Sequence, residues 1–589
     1  MSDEVAERPG EWPGPERQPR VNPVLRLLRR YAPFLAIVVV ITLIAVFLPG
    51  GGGNGSGTAS RPAATGSGAT GAGTTRGLPL TFPRAGASAS RINWGPKCDT
   101  KTGRVAVPFS YAPPCVVPWK GGNNGGATAP GVTADTITIA VYQEQPDLLQ
   151  ETFLQQSGSD ASLNAELATE QQYVDFFQSH YQMYGRKVRL VPIKASGAAD
   201  DDVAAKADAI KVATEIHAFA SWGGPSQTSA YADELAARGV LCLGDCTIAQ
   251  PQSFIRSRSP YIWPLLAAPE QAAEHWAAFV AGGLAGRNAR YAGDPAMQRE
   301  RRRFGVVWYD DDAGSFRQSF RVFRTLLTRR GVHLATEIPY QLDLLQAQES
   351  ARAVIAKLKA NHVTTVVLAG DPIFPSFLTK EATAQNYFPE WAVMGYAYTD
   401  TAVFGRTYDQ RQWAHAFGVS LLPARTSGTA DQFSQILVWQ SGKPPIASTY
   451  QALVQAPLIF FTGVHLAGPD LTADTFRRAL YSFPADRPLQ PTVLHLSWGR
   501  HGIWPGVDDT GGDDATVIWW DPNARGPDEV GESGRGLYRY ALDGRRYLPT
   551  SWPRQGSLGL YDTARSTTVV TSLPEGEQPP SYPSPARGG

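Results

Sequence analysis

The residues best placed to do chemistry lie in Phe219–Ser229, FASWGGPSQTS. An apolar, strand-like run stops at Gly223-Gly224-Pro225, and the hydroxyls of Ser226, Thr228 and Ser229 stand before a helical pattern, AYADELAARG. Free backbone N–H groups at such a junction carry partial positive charge and favour an anion such as a carboxylate. Glycine lets that backbone approach a ligand closely. The alternative is that Ser226 or Thr228 only caps the helix, and one hydroxyl can do both. No P-loop lysine follows, so nucleotide phosphate fits poorly.

Catalytic signatures are missing. The sequence has no H-E-x-x-H, no G-x-x-x-x-G-K-[ST] and no G-x-S-x-G in a strand–turn–helix setting. Its nine histidines are scattered. Gly50, Gly52 and Gly55 match G-x-G-x-x-G only inside a low-complexity stretch, with no strand before them. Two acidic clusters remain. Asp310-Asp311-Asp312 directly follows a predicted strand, at the sheet edge where ligands gather in open α/β folds. The loop GVDDTGGDD, with Asp508, Asp509, Asp513 and Asp514, lacks the EF-hand pattern and reads as a solvated loop rather than a calcium site. Four cysteines, Cys98, Cys115, Cys242 and Cys246, fit no standard zinc spacing. In an exported chain an even count suggests disulfides, and proximity favours Cys98–Cys115 and Cys242–Cys246. No metal and no cofactor is expected.

The elements that would position these residues alternate. TITIAVY (136–142), KVRLVPI (187–193), HAFASW and VLCLG read as strands. Between them, 163–184 carries Tyr173, Phe176, Phe177, Tyr181 and Tyr184 on one helical face, and 201–216 and SAYADELAARG read as further helices. The alternation resumes with FGVVWY (304–309), a helix over 315–331, HLATEIPY, ESARAVIAKLKANH, TTVVLAG (364–370) and WAVMGYA (391–397). Two such runs predict two α/β lobes with parallel sheets covered on both faces. A helix near 450–468 suggests a return to the first lobe. TVIWWDP and GLYRYALDGRRYLP predict closing strands with a D-G turn.

Charge is balanced, with 54 Lys+Arg against 53 Asp+Glu, and only 11 of the bases are lysine. Nothing points to nucleic acid. Ala32 to Leu48 is a 17-residue uncharged run, about 26 Å as a helix, preceded by Arg26, Arg29 and Arg30. The positive-inside rule makes it a single-pass anchor with a cytoplasmic N-terminus and an extracytoplasmic bulk; a cleaved signal peptide is the alternative. The expected organisation is a cytoplasmic tail (1–30), a transmembrane anchor (31–48), a Gly/Ser-rich linker (49–90) and a Cys-containing lead-in (91–130). The first lobe (131–265) and second lobe (266–422) follow, then a return to lobe 1 (423–490). Completion of lobe 2 with a β extension (491–561) and a disordered tail (562–589) end the chain.

The order of motifs resembles the type 1 periplasmic binding proteins, in particular the branched-chain amino acid-binding (Leu/Ile/Val-binding) group of ABC transporters. GVTADTITIAVY resembles the opening strand, and FASWGGPSQTSAYADELAARGVLCLG the ligand-gripping turn, helix and next strand. YIWPLLAAPEQAAEHWAAFV resembles the first crossover between lobes, FGVVWYDDDAGSFRQSFRVFRTLLTRRG the first unit of the second lobe, TTVVLAGDPIFPSFLTKEA a later unit and LAGPDLTADTFRRAL a late helix. The likeness spans about 131–525. It implies two Rossmann-like lobes joined by three crossovers, a solute held between them, and hinge closure. It also implies ligand-binding positions: Gln143, Glu144, Trp222, Ser226, Gln227, Thr228, Asp245 and Thr247 in lobe 1, and Tyr309, Asp311, Asp371, Phe374 and Tyr396 in lobe 2. The chain departs from the amino-acid binders at GDCT (244–247) and near Gly395, where Tyr396 and Tyr398 stand instead of an acid.

The resulting expectation is a membrane-tethered extracytoplasmic solute-binding protein, not an enzyme. It would capture an amino acid, amide or aromatic acid and deliver it to an ABC permease. The alternative is an extracellular sensor with the same lobes that signals through a partner protein.

Overall fold

A computed structural model describes residues 77–144, 162–244, 246, 247, 250–310, 315–395, 398–529, 531–553 and 557–587, all within one unit, Thr75–Gly589. Two two-residue strands, β1 (Cys98–Asp99) and β2 (Arg104–Val105), pair antiparallel in the lead-in. The first large sheet contains β3 (Thr136–Gln143), β4 (Lys187–Lys194), β5 (Ala220–Trp222), β6 (Leu241–Leu243) and β7 (Ile262–Trp263). Their order is β4-β3-β5-β6-β7 and every pairing is parallel. The near-continuous burial of β3 follows from cover on both faces. On one face α1 (Leu163–His180) packs Tyr173, Phe176 and Phe177 into the core; on the other lie α2 (Asp202–Thr214), capped by Asp201, and α3 (Ala230–Ala237). The helix α1 stops four residues before the expected end. Tyr181 is already extended and Tyr184 has φ +53, yet both rings stay buried.

The second sheet repeats that order. β8 (Phe304–Tyr309), β9 (Leu334–Tyr340), β10 (Thr365–Ala369), β11 (Glu390–Gly395) and β12 (Ala416–Ser420) run parallel as β9-β8-β10-β11-β12. Helices α4 (Pro269–Ala278), α5 (Ser315–Arg329), α6 (Ala347–Ala360) and α7 (Phe374–Ala384) accompany it. Then β13 (Ala515–Pro527) joins antiparallel to β12, and β14 (Ser533–Ala541) to β13. Asp543-Gly544 turns the chain from β14 into β15 (Arg546–Tyr547), which pairs with β13.

The chain passes three times between the sheets. It leaves the first sheet through Pro264–Ala267. It returns after β12 to place α8 (Gln432–Ser441), α9 (Gln455–Ala467) and α10 (Ala473–Tyr481) against the first sheet. It then goes back through 484–514 to β13, with Val493, Leu494, Leu496 and Trp498 still packed in the first core. The crossing segments bond to one another: Gly511 N donates to Pro264 O (3.1 Å) and Ala424 N to Pro491 O (2.8 Å). The lead-in docks on the first lobe, where Phe109 and Tyr111 enter the core and Tyr111 donates to Leu494 O (3.0 Å). The cysteines pair as Cys98–Cys115 and Cys242–Cys246, with Cα separations of 5.7 and 5.4 Å.

Two expectations change. Among the described residues no helix is long and apolar enough to cross a membrane. The apolar helix α9 has only 13 residues, short of the ~20 a span needs, and is buried in the first lobe. The expected span Ala32–Leu48 lies outside the described residues. The fold class therefore stands without an N-terminal transmembrane helix, and membrane tethering and a single-pass cell-membrane location are set aside. The tail expected to be disordered is instead held by specific bonds. β16 (Ser566–Thr567) pairs with β14, and Val570 N donates to Arg425 O (2.8 Å). Tyr582 donates to Asp99 Oδ2 (2.8 Å) and accepts at its carbonyl from Trp439 Nε1 (3.0 Å). Composition signalled disorder because most of the partners, Arg425, Trp439 and Asp99, lie far away in sequence.

Candidate functional site

In both sheets the second strand in sequence lies outside the first, so each order reverses next to its first strand. Ligands of open α/β sheets bind at the carboxyl end of that reversal. In the first sheet the reversal lies between β3 and β5, and so between Gln143-Glu144 and the turn Gly223–Thr228. In the second it lies between β8 and β10, at Tyr309-Asp310 and Gly370-Asp371.

The first-lobe corner is closely built. Gly223 adopts φ +71, open to glycine at little cost. A Cβ on Gly224 would lie 2.2 Å from the Cys246 carbonyl oxygen, so only glycine lets the disulfide-stapled loop after β6 approach this turn. The Ser226 amide, the donor expected to meet a solute carboxylate, donates instead to Glu144 Oε1 at 2.7 Å. Thr228 is buried: its hydroxyl donates to Asp202 Oδ1 and accepts from Ala230 N (3.0 Å), which is the capping role. Gln143 donates to Leu163 O (3.1 Å) at the start of α1. Trp222 is 1% exposed and packs on Phe460 and Phe461, inside the core rather than on its edge. Ser226 is half-buried and Gln227 exposed. Thr247 is buried with its hydroxyl unpartnered. Asp245 lies outside the described residues.

The second-lobe corner is partly committed to the fold. Asp371 accepts from Tyr340 OH (2.5 Å) through Oδ2, and from Ile373 N (2.7 Å) and Phe374 N (2.9 Å) through Oδ1. Burial raises its carboxyl, against the pull of those bonds. Phe374 is fully buried and stacks on Tyr340, ring centres 4.2 Å apart. Both residues thus cap and seat α7. Tyr309 is half-buried at the strand end, and Asp310 pairs with Arg317 at 2.6 Å. Asp311 and Tyr396 lie outside the described residues. Tyr398 is 65% exposed, whereas Asp400 is buried, accepts from Ser420 Oγ (2.5 Å) and is pushed up to about 6 by burial.

The structure thus brings Glu144, Ser226, Gln227 and Thr247 to one row of strand ends and Tyr309 and Asp310 to the other. Trp222, Thr228, Asp371 and Phe374 support those rows from within. A cavity beneath the second row, lined by Trp276, Trp308, Phe320 and Met394, has about 10 Å3, one water's worth. A groove of about 470 Å3 opens at the opposite, amino edge of the first sheet, where its Arg477 pairs with Asp474 at 2.6 Å. The sheet rule gives no reason for a solute there.

The loop 508–514 is not solvated as expected. Asp508, Asp509, Asp513 and Asp514 are all buried beside the crossovers. Asp513 accepts from Ser497 Oγ (2.7 Å) and Trp504 Nε1 (2.8 Å) and pairs with His495 (2.9 Å), while Asp514 is bound bidentately by Arg546 (2.7 and 3.0 Å). Among the described residues no group of His, Cys, Asp or Glu could hold a metal ion.

A sequence model of the periplasmic binding protein family matches residues 153–502, 350 of the 589 residues. No curated protein matches the chain. Solved structures resemble it at low identity. A leucine-, isoleucine-, valine-, threonine- and alanine-binding protein from Brucella ovis is 14% identical with TM-score 0.48, covering 72% of this chain and 99% of its own. A fatty acid ABC transporter substrate-binding protein from Thermomonospora curvata is 15% identical with TM-score 0.47, covering 71% and 95%. An ABC-transporter solute-binding protein from Rhodopseudomonas palustris, in complex with 3,4-dihydroxybenzoic acid, is 11% identical with TM-score 0.46, covering 71% and 99%. These likenesses are too distant to carry a residue or a ligand across.

Proposed function

Because the chain belongs to the periplasmic binding protein family, a binding and transport family rather than a catalytic one, we propose that it captures a small polar solute between its two lobes and delivers it to an ABC permease. The observation that carries this reading is the pair of order reversals at the strand ends of two parallel sheets, joined by three crossovers of which the third bonds to each of the other two. That arrangement suits a solute held across two faces that move about a hinge. Two disulfides suit an oxidising, extracytoplasmic compartment. We place the solute contacts at Glu144, Ser226, Gln227, Thr247 and Tyr309. The finer likeness to the branched-chain amino acid binders rests on motif order alone; the Ser226 amide is already engaged, so a branched-chain amino acid is not assigned.

The test is a thermal-shift screen of the purified full-length chain with amino acids, amides, amines and aromatic acids, followed by small-angle scattering. One solute is expected to raise Tm, by about 2.7 kcal/mol of added stability at 100 times its Kd, and to lower the radius of gyration. Stabilisation without compaction removes the hinged-lobe reading; no stabilising solute removes solute capture.

A further inference from the structure

We propose that the C-terminal segment 568–586 is a strap across the hinge, fixed on the second lobe and releasable from the first, and that it restrains the angle between them while attached. This rests on the hinged-lobe reading above and adds a built-in restraint to it.

After the third crossover the chain completes the second sheet, and its last residues then leave that sheet for the first lobe. They form a fourth link between the lobes, covalent only at its second-lobe end. There β16 pairs with β14, Ser566 opposite Ala541 and Thr567 opposite Tyr540. The segment next runs beside the second crossover. Arg425 Nε donates to Thr568 O (3.2 Å), Ser427 N to Val570 O (3.0 Å) and Val570 N to Arg425 O (2.8 Å). On the third crossover, Gln490 Nε2 donates to Glu577 O (2.9 Å). The far end lies on the first lobe. Trp439 Nε1 of α8 donates to Tyr582 O (3.0 Å), and Ser584 Oγ donates to Trp439 O (2.6 Å). Tyr582 OH donates to Asp99 Oδ2 (2.8 Å) in the disulfide-closed lead-in.

The two ends are held differently. Ser566 and Leu573 are buried at the near end, whereas no residue from Pro574 to Ala586 is buried. The far end therefore rests mainly on hydrogen bonds, each of modest net worth, with little apolar burial behind them. Such a segment detaches readily while the core stays folded. Its anchor points, by contrast, are firm. Trp439 packs on Phe176 and His180 of α1, with ring centres 6.3 and 5.1 Å away. Asp99 belongs to β1, beside the Cys98–Cys115 bridge, and also accepts from Lys101 N (2.9 Å).

Composition suits this task. Pro574, Pro579, Pro580, Pro583 and Pro585 restrict the backbone of the detached segment, so less conformational entropy is lost when it docks. They also keep it extended and stiff. A stiff link between β14 and the pair Trp439 and Asp99 spans two bodies that turn about the crossovers it touches. When the lobes rotate, the link must bend, slide or let go. Its first-lobe end is the weaker one, so release occurs there.

The experiment measures the lobe-to-lobe distance by double electron–electron resonance, with no solute added. Spin labels go on Lys211→Cys in α2 and Arg330→Cys after α5, both exposed positions, and the native cysteines are all paired. Deleting 574–589 is expected to broaden the distance distribution by about 2-fold or more. Trp439→Phe with Tyr582→Phe, in the full-length chain, keeps both rings and removes two of the far-end bonds. It is expected to broaden the distribution less, with the far-ultraviolet circular dichroism of the native chain retained. Distributions that coincide in the native chain and both variants overturn the strap. A fall in Tm without broadening also overturns it and leaves the tail a stabiliser only. Neither result touches the hinged-lobe reading, which solute-driven compaction decides separately.

Discussion

Replacing Asp508 by Asn tests how much the buried acids at the crossovers cost the fold. Asp508 is 2% exposed; its Oδ1 accepts from Thr510 N (3.0 Å) and Thr510 Oγ1 (2.6 Å), and its Oδ2 has no partner. Burial lifts its carboxyl from 3.8 to about 7, opposed by the Thr510 bonds and aided by the charge of Asp513. The folded value lies above the unfolded one. Between pH 3.8 and 7 the native state therefore holds the extra proton, and stability is lost as pH rises through that window. A gap of about 3 units at ~1.4 kcal/mol each amounts to ~4 kcal/mol. Asparagine does not titrate. Subtracting the wild-type from the variant stability cancels the other groups and leaves a difference that should grow by ~4 kcal/mol from pH 4 to pH 8. Any hydrogen bond weakened by the substitution adds an offset of about 1 kcal/mol without a slope. Urea unfolding at four pH values, followed by far-ultraviolet circular dichroism, measures this. A difference flat to within about 0.5 kcal/mol across that range would refute the buried, proton-holding carboxyl.

Three further substitutions probe the crossovers and the strand ends. Arg546→Met leaves Asp514 buried without its bidentate partner and strips donors from Leu421 O and Leu422 O, so it should cost about 3–5 kcal/mol. Adding Asp514→Leu should recover much of that loss in a double-mutant cycle, and simple additivity would refute the coupling. Gly224→Ala puts a Cβ 2.2 Å from the Cys246 carbonyl oxygen and must push the turn and the stapled loop apart. It should cost about 1–3 kcal/mol by thermal unfolding. It should also weaken whichever solute the screen identifies; unchanged binding would separate this turn from the site.

The parallel sheets were legible because their signal is local. FGVVWY is apolar throughout, as a strand buried on both faces must be, TITIAVY alternates through Thr136 and Thr138 before turning apolar, and helical stretches of 3.6 periodicity separate such runs. The alternation predicted β3–β6 and β8–β11, whereas the strand order and its reversals emerge only in the folded sheets. The acidic loop was misread for the complementary reason. Four aspartates in nine residues read as solvated only if their partners are unknown, and His495, Ser497, Trp504 and Arg546 come from three other segments. The ordered tail failed likewise, since Tyr582 meets Asp99 across 483 residues.

At the candidate site the sequence singled out the turn Phe219–Ser229 for a solute carboxylate, and there the Ser226 amide donates to Glu144. Ser226 and Glu144 are 82 residues apart, and no periodicity links them. The junction's amide does take a carboxylate, as the physics of a strand-to-helix turn requires, but the chain supplies that carboxylate itself. The consequence runs against the resemblance that pointed to the turn. A family fold provides two rows of strand ends, yet the chemistry of those ends is set one side chain at a time, and here Glu144 takes the Ser226 amide. The same limit applies to Thr228, Asp371 and Phe374. Each has the residue type a binding site would use, and each is taken up by its own helix end before any solute arrives.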